Sequence, residues 1–177
     1  MDIPALEREL CRLPLAQYAF FPTDALVFSS RVRAVCEQEC PRYGKTWSCP
    51  PAVGDLQVCI DRCRSYPQGL LIVSLGETKD ASDFEKALKT RPTHEALTRQ
   101  VAELLKKQGA APFVLSAQSC DLCESCTCPD APCRHPEQMF PCVESHGIVV
   151  PALAEKFGID LSYGNNVIAW VSLLLFF

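Results

Sequence analysis

Two short segments of the chain hold most of its cysteines and constrain how it can fold. Eight of the 12 cysteines fall within residues 36–49 and 120–133, and all of them except Cys128 form two tight groups. Thiols separated by only two residues are brought together by a tight backbone turn, and thiolates held so close repel one another unless a cation binds between them. The two segments therefore predict metal binding by Cys36, Cys40, Cys49, Cys120, Cys123, Cys126 and Cys133.

Length and composition favour one compact domain. The 177 residues are 48% hydrophobic and 21% charged, which is enough apolar mass to bury a single core. We therefore expect one metal-binding domain over residues 1–177, with cysteine-rich segments at 36–51 and 120–136. The formal net charge of -4 and the isoelectric point near 5.4 argue against binding to nucleic acid, which needs a basic surface.

The two ends of the chain bear on its compartment. Residues 1–10 contain no basic stretch followed by an apolar run, so they do not predict a secretory signal. We expect a cytoplasmic location, where many cysteines indicate metal or redox chemistry more than disulfides. The apolar run at residues 167–177 is shorter than the roughly 20 residues that cross a bilayer. It predicts a buried strand, and we expect no membrane partner.

Hydrophobic patterns predict a mixture of helices and strands. Helical spacing of apolar residues predicts helices over residues 1–12, 55–66, 97–109, 141–146 and 151–157. Apolar runs and β-branched residues predict strands over residues 25–36, 69–75, 112–117 and 167–177. The first of these strands is expected to deliver Cys36 to its cysteine group.

The order of these elements predicts an α/β fold. A strand, a helix and a strand over residues 69–117 form a predicted βαβ unit, with parallel strands and a right-handed crossover. The expected architecture is a small mixed or parallel sheet with flanking helices and a cysteine-rich metal-binding lobe. Because Cys120 directly follows the second strand, the four-cysteine segment is expected at the carboxyl end of the sheet, where open α/β folds build their sites.

The spacing of the second cysteine group bears on which metal it binds. Four thiolates suit either tetrahedral zinc or an iron–sulfur cluster. Cys120, Cys123 and Cys126 follow the ferredoxin-like pattern of two-residue intervals, but Cys133 follows after six residues instead of three. Cys128 is therefore an alternative ligand. We predict one or two iron–sulfur clusters of the 4Fe-4S type, with zinc as the alternative.

The first cysteine group is one thiol short of a complete set. Cys36, Cys40 and Cys49 have no obvious fourth partner, and three explanations stay open. The fourth ligand comes from elsewhere, the three thiols are structural, or one coordination position is free. A free position is where catalytic metal sites bind water or substrate, so the last explanation would make the protein an enzyme. Candidates for a distant ligand are Cys128, Cys142 and His135.

Other cysteines and histidines have ordinary structural explanations. Cys11, Cys59 and Cys63 lie on apolar faces of predicted helices, so we expect them in the core. His94 is expected on a helix surface. His146, like His135, flanks the cysteine segments and is a further candidate ligand.

Charged and aromatic residues near the cysteines could tune a bound metal. Basic side chains lower the pKa of nearby thiols, and Tyr43 and Trp47 could limit the access of water to a cluster. Ordinary surface and packing roles stay open for each of them. The basic residues are Arg31, Arg33, Arg42, Lys45 and Arg134.

Three motifs together resemble a known family. They are C-x3-C-P-x-Y-G-x3-S-C-P-P at Cys36–Pro51, C-x2-C-x2-C with C-R-H-P at Cys120–Pro136, and E-x2-G-I-x-V at Glu144–Val150. The combination is similar to a bacterial and archaeal group of predicted metal-binding proteins with domain of unknown function 2284. The resemblance implies an iron–sulfur-binding protein of unsettled activity, with the seven cysteines at matching positions.

The chain departs from the pattern of that family after the second cysteine segment. Pro141-Cys142-Val143-Glu144-Ser145 stands where the pattern reads P-S-M-E-A, and Val149 stands where it has an acidic residue. Cys142 therefore has no counterpart in the pattern. The same holds for Cys11, Cys59, Cys63 and Cys128.

Two function hypotheses from different classes follow. The first is an iron–sulfur protein in electron transfer or a redox-linked reaction, which would need a redox partner protein. The second is a zinc-stabilised module that binds another protein without catalysis. A thiol-rich metal carrier is weaker than either, because carriers rarely need so large a core.

Overall fold

The computed structural model describes residues 1–80 and 82–177 and contains both helices and strands. In chain order they are α1 (Ile3–Leu10), β1 (Gln17–Pro22), α2 (Ser30–Gln38), α3 (Leu56–Arg64), β2 (Gln68–Glu77), α4 (Phe84–Leu88), α5 (Arg91–Lys107), β3 (Phe113–Leu115), α6 (Val150–Lys156) and β4 (Val167–Phe176). Short 3-10 helices cover Thr23–Ala25 and Glu144–His146.

The four strands form one sheet in the order β1-β2-β4-β3, and all three pairings are antiparallel. Strands β2 and β4 pair along their whole length, from Gln68 opposite Phe176 to Glu77 opposite Val167. They lie in the centre of the sheet, and helices pack on both of its faces. This explains their nearly continuous apolar sequences, since a strand buried on both faces has no solvent side to alternate with.

Helices cover both faces of the sheet and divide the core in two. Successive side chains of a strand point to opposite faces. Leu70 and Ile72 of β2 therefore pack with α1 and α5 on one face. Leu71 and Val73 pack on the other face, where α3 contributes Cys63 and α6 contributes Leu153 to the same cluster.

The predicted α/β class with flanking helices is confirmed, but the strand order corrects its detail. Strands β2 and β3 both run antiparallel to β4, so they share a direction, as predicted for the βαβ unit. They are not neighbours, however, because β4 lies between them. The C-terminal strand was expected from its apolar sequence, but its place in the sheet depends on long-range pairing. The sheet is therefore antiparallel rather than parallel or mixed.

The strand predicted over residues 25–36 is wrong, and helix α2 replaces most of it. Ser29 caps this helix by accepting a hydrogen bond from the backbone N–H of Arg31 at 3.2 Å. Arg33 is buried beneath the helix and donates to the carbonyl oxygens of Gly54 and Ser145, both at 2.7 Å. The valines of this segment favour a strand, but the cap and the buried arginine stabilise a helix.

The other predicted elements agree with the structure to different degrees. The helices expected over 1–12, 55–66 and 151–157 correspond to α1, α3 and α6, and the one over 97–109 lies largely within α5. The helix expected at 141–146 is only the 3-10 turn Glu144–His146. Strand β1 was not predicted, because its residues are only partly buried apart from Phe21.

His94 was predicted on a helix surface, and this is wrong. Its side chain is fully buried between α5 and the sheet. The ring nitrogens lie 2.8 Å from Ser74 Oγ and 2.7 Å from Ser172 Oγ, and Ser172 Oγ donates to Ser116 Oγ at 3.1 Å. Serines at buried sheet positions therefore supply the hydrogen bonds that a buried imidazole needs.

The apolar C-terminal run forms β4, as predicted. Among the residues that the structure describes, no helix is both long and apolar enough to cross a membrane.

Candidate metal centre

The second cysteine segment folds around a small cavity, which we call the loop cavity. It has a volume of about 20 Å³. Its apolar lining includes Trp47, Leu122 and Met139. The thiol-bearing residues at this cavity are Cys120, Cys123, Cys126 and Cys133. All four members of the predicted ligand group thus share one enclosed space, which follows β3 in the chain.

Hydrogen bonds within the segment return Cys133 to the other three cysteines. Thr127 Oγ1 donates to the carbonyl oxygen of Pro132 at 2.8 Å. Arg134 donates to the carbonyl oxygen of Ser125, also at 2.8 Å. These bonds close a turn between the third and the fourth cysteine, so the longer six-residue spacing still brings Cys133 to the cavity.

Two residues of the first cysteine segment form hydrogen bonds with the loop that surrounds the cavity. The backbone N–H of Cys120 donates to Ser48 Oγ at 2.8 Å, and the indole N–H of Trp47 donates to the carbonyl oxygen of Ala131 at 3.1 Å. The indole therefore lines the cavity and is hydrogen-bonded to the loop at Ala131. A role for Trp47 beside the cysteines was predicted, but this hydrogen bond was not.

The structure separates Cys128 from the other loop cysteines. Its sulfur lies 3.9 Å from the carbonyl oxygen of Gly44, and Cys128 is not part of the cavity lining. Cys133 is part of that lining, as is the exposed His135, whose backbone N–H donates to the Cys133 sulfur at 3.4 Å. The preference for Cys133 over Cys128 has this geometric support, and the ligand role of either stays a prediction.

The first cysteine segment borders a second cavity, which we call the Cys36 pocket. It has a volume of about 180 Å³ and is lined by thiols, by charged side chains and by Tyr43. The charged residues are Arg42 and Glu144. The cysteines are Cys36, Cys40, Cys49 and Cys142. The three predicted thiols are therefore joined by a fourth from a distant part of the chain.

Three separate segments supply these thiols. Cys36 lies in the last turn of α2, and Cys40 follows just after the helix ends. Cys49 is buried after the proline- and glycine-rich loop. Cys142 is held by backbone pairing, since its N–H donates to the carbonyl oxygen of Ser48 at 3.0 Å and it forms an isolated parallel bridge with Ser116.

Cys49 and Cys142 form a pair with opposite proton affinities. A hydrogen bond from the Cys142 thiol lowers the pKa of Cys49 to about 6, with help from the hydroxyls of Thr46 and Ser48 and against the effect of burial. The hydrogen bond with Cys49, then burial and the Glu144 carboxylate, raise the pKa of Cys142. The Cys142 thiol lies 2.7 Å from Glu144 Oε2. Cys49 is thus the thiolate of the pair, and Cys142 keeps its proton.

Burial dominates the remaining perturbed thiols of both groups. It raises the pKa of Cys36 to about 11, with neighbouring Cys40 adding to the effect, and it also raises the pKa of Cys120. A neutral thiol is the favoured form at these positions without a cation. Metal binding must therefore displace protons from them.

The cysteines outside the two groups lie in different environments. Cys59 and Cys63 are buried on α3, as predicted, and burial raises the pKa of Cys63 to about 12. The prediction that Cys11 is buried is wrong. Cys11 is exposed at the C-terminal end of α1, where its sulfur lies 3.8 Å from Tyr18 Oη. An apolar stripe does not distinguish a helix residue from the cap that follows it.

The candidate histidine His146 is buried against Phe113. Its Nδ1 lies 3.1 Å from the carbonyl oxygen of Cys142 and 3.0 Å from Ser145 Oγ, and it lines neither of the two cavities. Burial lowers its pKa to about 4. His146 therefore packs behind the Cys142 segment.

The basic side chains near the cysteines have distinct positions. Arg42 lines the Cys36 pocket and Arg134 lines the loop cavity. Arg31 and Lys45 are exposed. Arg33 partly offsets the burial that raises the pKa of Cys36, and its guanidinium also binds Glu37 and two backbone carbonyls. Only Arg42 and Arg134 of these five border a cysteine-lined cavity.

The two cavities share their walls. Trp47 lines the loop cavity, whereas Cys49, two residues later, lines the Cys36 pocket. Ser119 lines the Cys36 pocket, whereas the next residue, Cys120, lines the loop cavity. Ser48 lies between them, because its hydroxyl accepts from the Cys120 N–H and lies 3.7 Å from the Cys49 sulfur. The two cysteine groups are therefore adjacent.

The four thiols of each cavity surround it rather than meet at one point. Within residues 1–80 and 82–177, no three His, Cys, Asp or Glu side chains are grouped tightly enough to hold a single metal ion. The donor set itself is nevertheless suited to a metal. Thiolates are soft ligands for zinc and iron–sulfur clusters.

Comparison with known proteins identifies the class to which the chain belongs. Residues 19–176 match a family model described as a predicted metal-binding protein, and this span includes both cysteine segments. The chain therefore belongs to that family, DUF2284, as the sequence motifs predicted. Its membership supports metal binding in general. No curated protein and no solved structure matches the chain.

Proposed function

We propose that the protein is an iron–sulfur protein that takes part in electron transfer or a redox-linked reaction. The ligands of its cluster are Cys120, Cys123, Cys126 and Cys133. The observation that carries the proposal is the lining of the loop cavity, where four thiols, three of them with ferredoxin-like spacing, border one cavity. When bound, an iron–sulfur cluster supplies a centre that accepts and releases an electron.

The surroundings of the loop cavity support a redox role. Trp47, Leu122 and Met139 are apolar parts of its lining, and they restrict the access of water to the thiols. Solvent exposure and net charge are two of the properties that set the reduction potential of a cluster. Arg134, which also lines the cavity, offsets part of the negative charge of four thiolates. Such a centre exchanges electrons with a redox partner protein.

Anaerobic purification followed by metal analysis and a visible absorption spectrum tests the proposal. We expect a brown protein that contains iron and acid-labile sulfide in similar amounts. A colourless protein with stoichiometric zinc and no iron would overturn the proposal and favour a zinc-stabilised interaction module.

Two variants test whether the loop cavity holds the cluster. Cys123→Ser removes a thiol from the cavity lining and should lower the iron and sulfide content. Cys128→Ser is the matched control, because it removes a thiol of the same loop that lies against Gly44 instead. Equal loss in both variants would contradict the assignment of these ligands.

A further inference from the structure

We infer that Cys142 is the fourth thiol ligand of a second metal centre, in the Cys36 pocket. Its other ligands are Cys36, Cys40 and Cys49. The inference rests on the proposed function for the identity of the bound group, which is then a second iron–sulfur cluster. The ligand set itself rests on the lining of the pocket, where these four cysteines occur together.

The pocket brings Cys142 close to its proposed co-ligands. Cys142 lines the pocket together with Cys49, Cys36 and Cys40, and its thiol donates to Glu144 Oε2, which lines the same pocket. Cys142 is only 6% exposed and Cys49 only 5%, so the two form the inner wall of the pocket. Cys36 and Cys40 are partly exposed and form its outer side.

The fold fixes the position of each ligand independently. Helix α2 carries Cys36, and Arg33 ties that helix to the carbonyl oxygen of Ser145, close to Cys142 in the chain. The Cys142 N–H bonds to the carbonyl oxygen of Ser48, the residue before Cys49. Neighbouring backbone contacts therefore hold the first cysteine segment and the 142–145 segment together, whether or not a metal is bound.

The other candidates for the fourth ligand, Cys128 and His135, do not line the Cys36 pocket. Cys128 faces the carbonyl oxygen of Gly44, and His135 lines the loop cavity. Glu144 is the remaining donor in the pocket, and its Oε2 lies 2.7 Å from the Cys142 sulfur. A thiolate is the softer donor and matches the other three ligands, so we assign the coordination position to Cys142. Glu144 then accepts a hydrogen bond from Cys142 only while the thiol is protonated.

The surroundings of the pocket suit a negatively charged thiolate centre. Arg42 lines the pocket, and its guanidinium offsets the charge of the thiolates. Because Ser48 lies against both Cys49 and Cys120, the second centre is adjacent to the loop cavity, and an electron can pass between the two.

Iron and acid-labile sulfide per chain test the inference. We compare anaerobically purified wild-type protein with Cys142→Ser and Cys142→Ala, which excludes ligation by the serine oxygen. Two clusters of one type predict that each variant loses about half of the iron. Cys123→Ser should lose the other half, and the combination of Cys123→Ser with Cys142→Ser should lose nearly all. Cys128→Ser is the control and should keep the wild-type content.

Several results would overturn the inference. Wild-type iron content in both Cys142 variants is one of them. Loss of iron in Glu144→Gln but not in the Cys142 variants would assign the position to the carboxylate. Complete loss of iron in Cys142→Ser, with native circular dichroism, would indicate a single shared centre.

A labelling experiment on the wild-type protein covers the case in which the Cys142 variants do not fold. In urea, where the buried and protonated Cys142 becomes accessible, iodoacetamide should alkylate it faster in metal-free protein than in metal-loaded protein, as read by mass spectrometry. Equal alkylation in both states would overturn the inference. If the wild type holds zinc instead of iron, the proposed function fails, and a halved zinc content in Cys142→Ser would still support the ligand set.

Discussion

The loop cavity and the Cys36 pocket are each lined by four thiols, but the chain brings those thiols together in two different ways. The loop cavity takes its four thiols from one stretch of 14 residues, 120–133, and encloses about 20 Å³. The Cys36 pocket takes its four thiols from segments up to 106 positions apart, between Cys36 and Cys142, and encloses about 180 Å³. The loop cavity is a local structure, whereas the Cys36 pocket depends on the tertiary fold to bring distant segments together.

The two sites should therefore depend on bound metal for their local structure to different degrees. Residues 119–140 contain no helix or strand among those described, so the loop cavity relies on a few hydrogen bonds and on what its thiols bind. The Cys36 pocket is supported by α2, by the buried Arg33 and by backbone pairing with Ser116. We therefore expect metal to order the loop and merely to occupy the pocket.

Removal of metal should have the largest effect and should separate the two regions. Chelation of the reduced protein is expected to increase amide hydrogen exchange in residues 120–135 by orders of magnitude, because local structure there depends on the ligand. The amides of β2 and β4 should keep their protection. Mass spectrometry of exchanged peptides measures both. Equal exchange of the loop before and after chelation would show that metal does not order the loop.

Arg33→Ala should have the next largest effect and should act on the Cys36 pocket. It removes the buried donor to Gly54 and Ser145, leaving two carbonyl oxygens without their charged partner. Such bonds are each worth roughly 2 kcal/mol, so we expect the free energy of unfolding to fall by about 4 kcal/mol in urea denaturation. Arg31→Ala, at an exposed position of the same helix, should change it by less than about 0.5 kcal/mol.

The Arg33 prediction also has a metal readout. At temperatures where Arg33→Ala remains folded, the Cys36 pocket should lose metal before the loop cavity does. A loss of only a few tenths of a kcal/mol, or equal loss of metal from both cavities, would show that the pocket is not held by this arginine.

Low pH should lower the stability of the fold next to the Cys36 pocket, and His94 should be the residue that causes this. Burial lowers the pKa of His94 to about 4, whereas an exposed histidine titrates near about 6.5. As the pH falls through this window, the unfolded chain binds the proton and the folded chain does not. The stability from neutral His94 is therefore complete above the unfolded pKa, and on the order of 3 kcal/mol is lost by pH 4.

His94→Gln is the control for this pH dependence. The hydroxyls bonded to His94 connect through Ser172 to Ser116, which pairs with Cys142. Urea denaturation at pH 7 and near pH 4 should show a steeper loss of stability in the wild type than in the variant. Parallel loss in the two proteins would mean that His94 does not contribute.

Trp47→Phe should have the smallest effect and should act on the loop cavity. The ring still lines the cavity, but the hydrogen bond to the carbonyl oxygen of Ala131 is lost, which costs about 1 kcal/mol. Trp170→Phe is the matched control, because it removes an indole hydrogen bond from β4 to Thr90, the residue before α5. We expect faster exchange in the 120–135 loop only for Trp47→Phe. The same change in both variants would contradict a specific role of Trp47.

The sequence predicts best those features that arise from local patterns. The apolar runs of β2 and β4 and the helical stripe of α5 indicate their structures because both faces of the strands and one face of the helix are buried. The spacing of Cys120, Cys123 and Cys126 likewise indicates a shared cavity, because a few residues of backbone connect them.

The remaining features depend on contacts that local patterns do not contain. Arg33 stabilises a helix where valines favour a strand, and His94 is buried because Ser74 and Ser172 happen to face it across the sheet. Cys142 was only one of three candidates for the missing ligand, and the family pattern counted against it. Its position beside Cys49 could be found only from the folded structure.

X-ray absorption at the iron and zinc K-edges of anaerobically purified protein is the most direct test of whether the protein binds an iron–sulfur cluster. We expect iron with a first shell of sulfur and a second shell of iron, as in a polynuclear cluster held by thiolates. Zinc with a sulfur shell and no neighbouring metal would contradict it, because that is the signature of a mononuclear structural site.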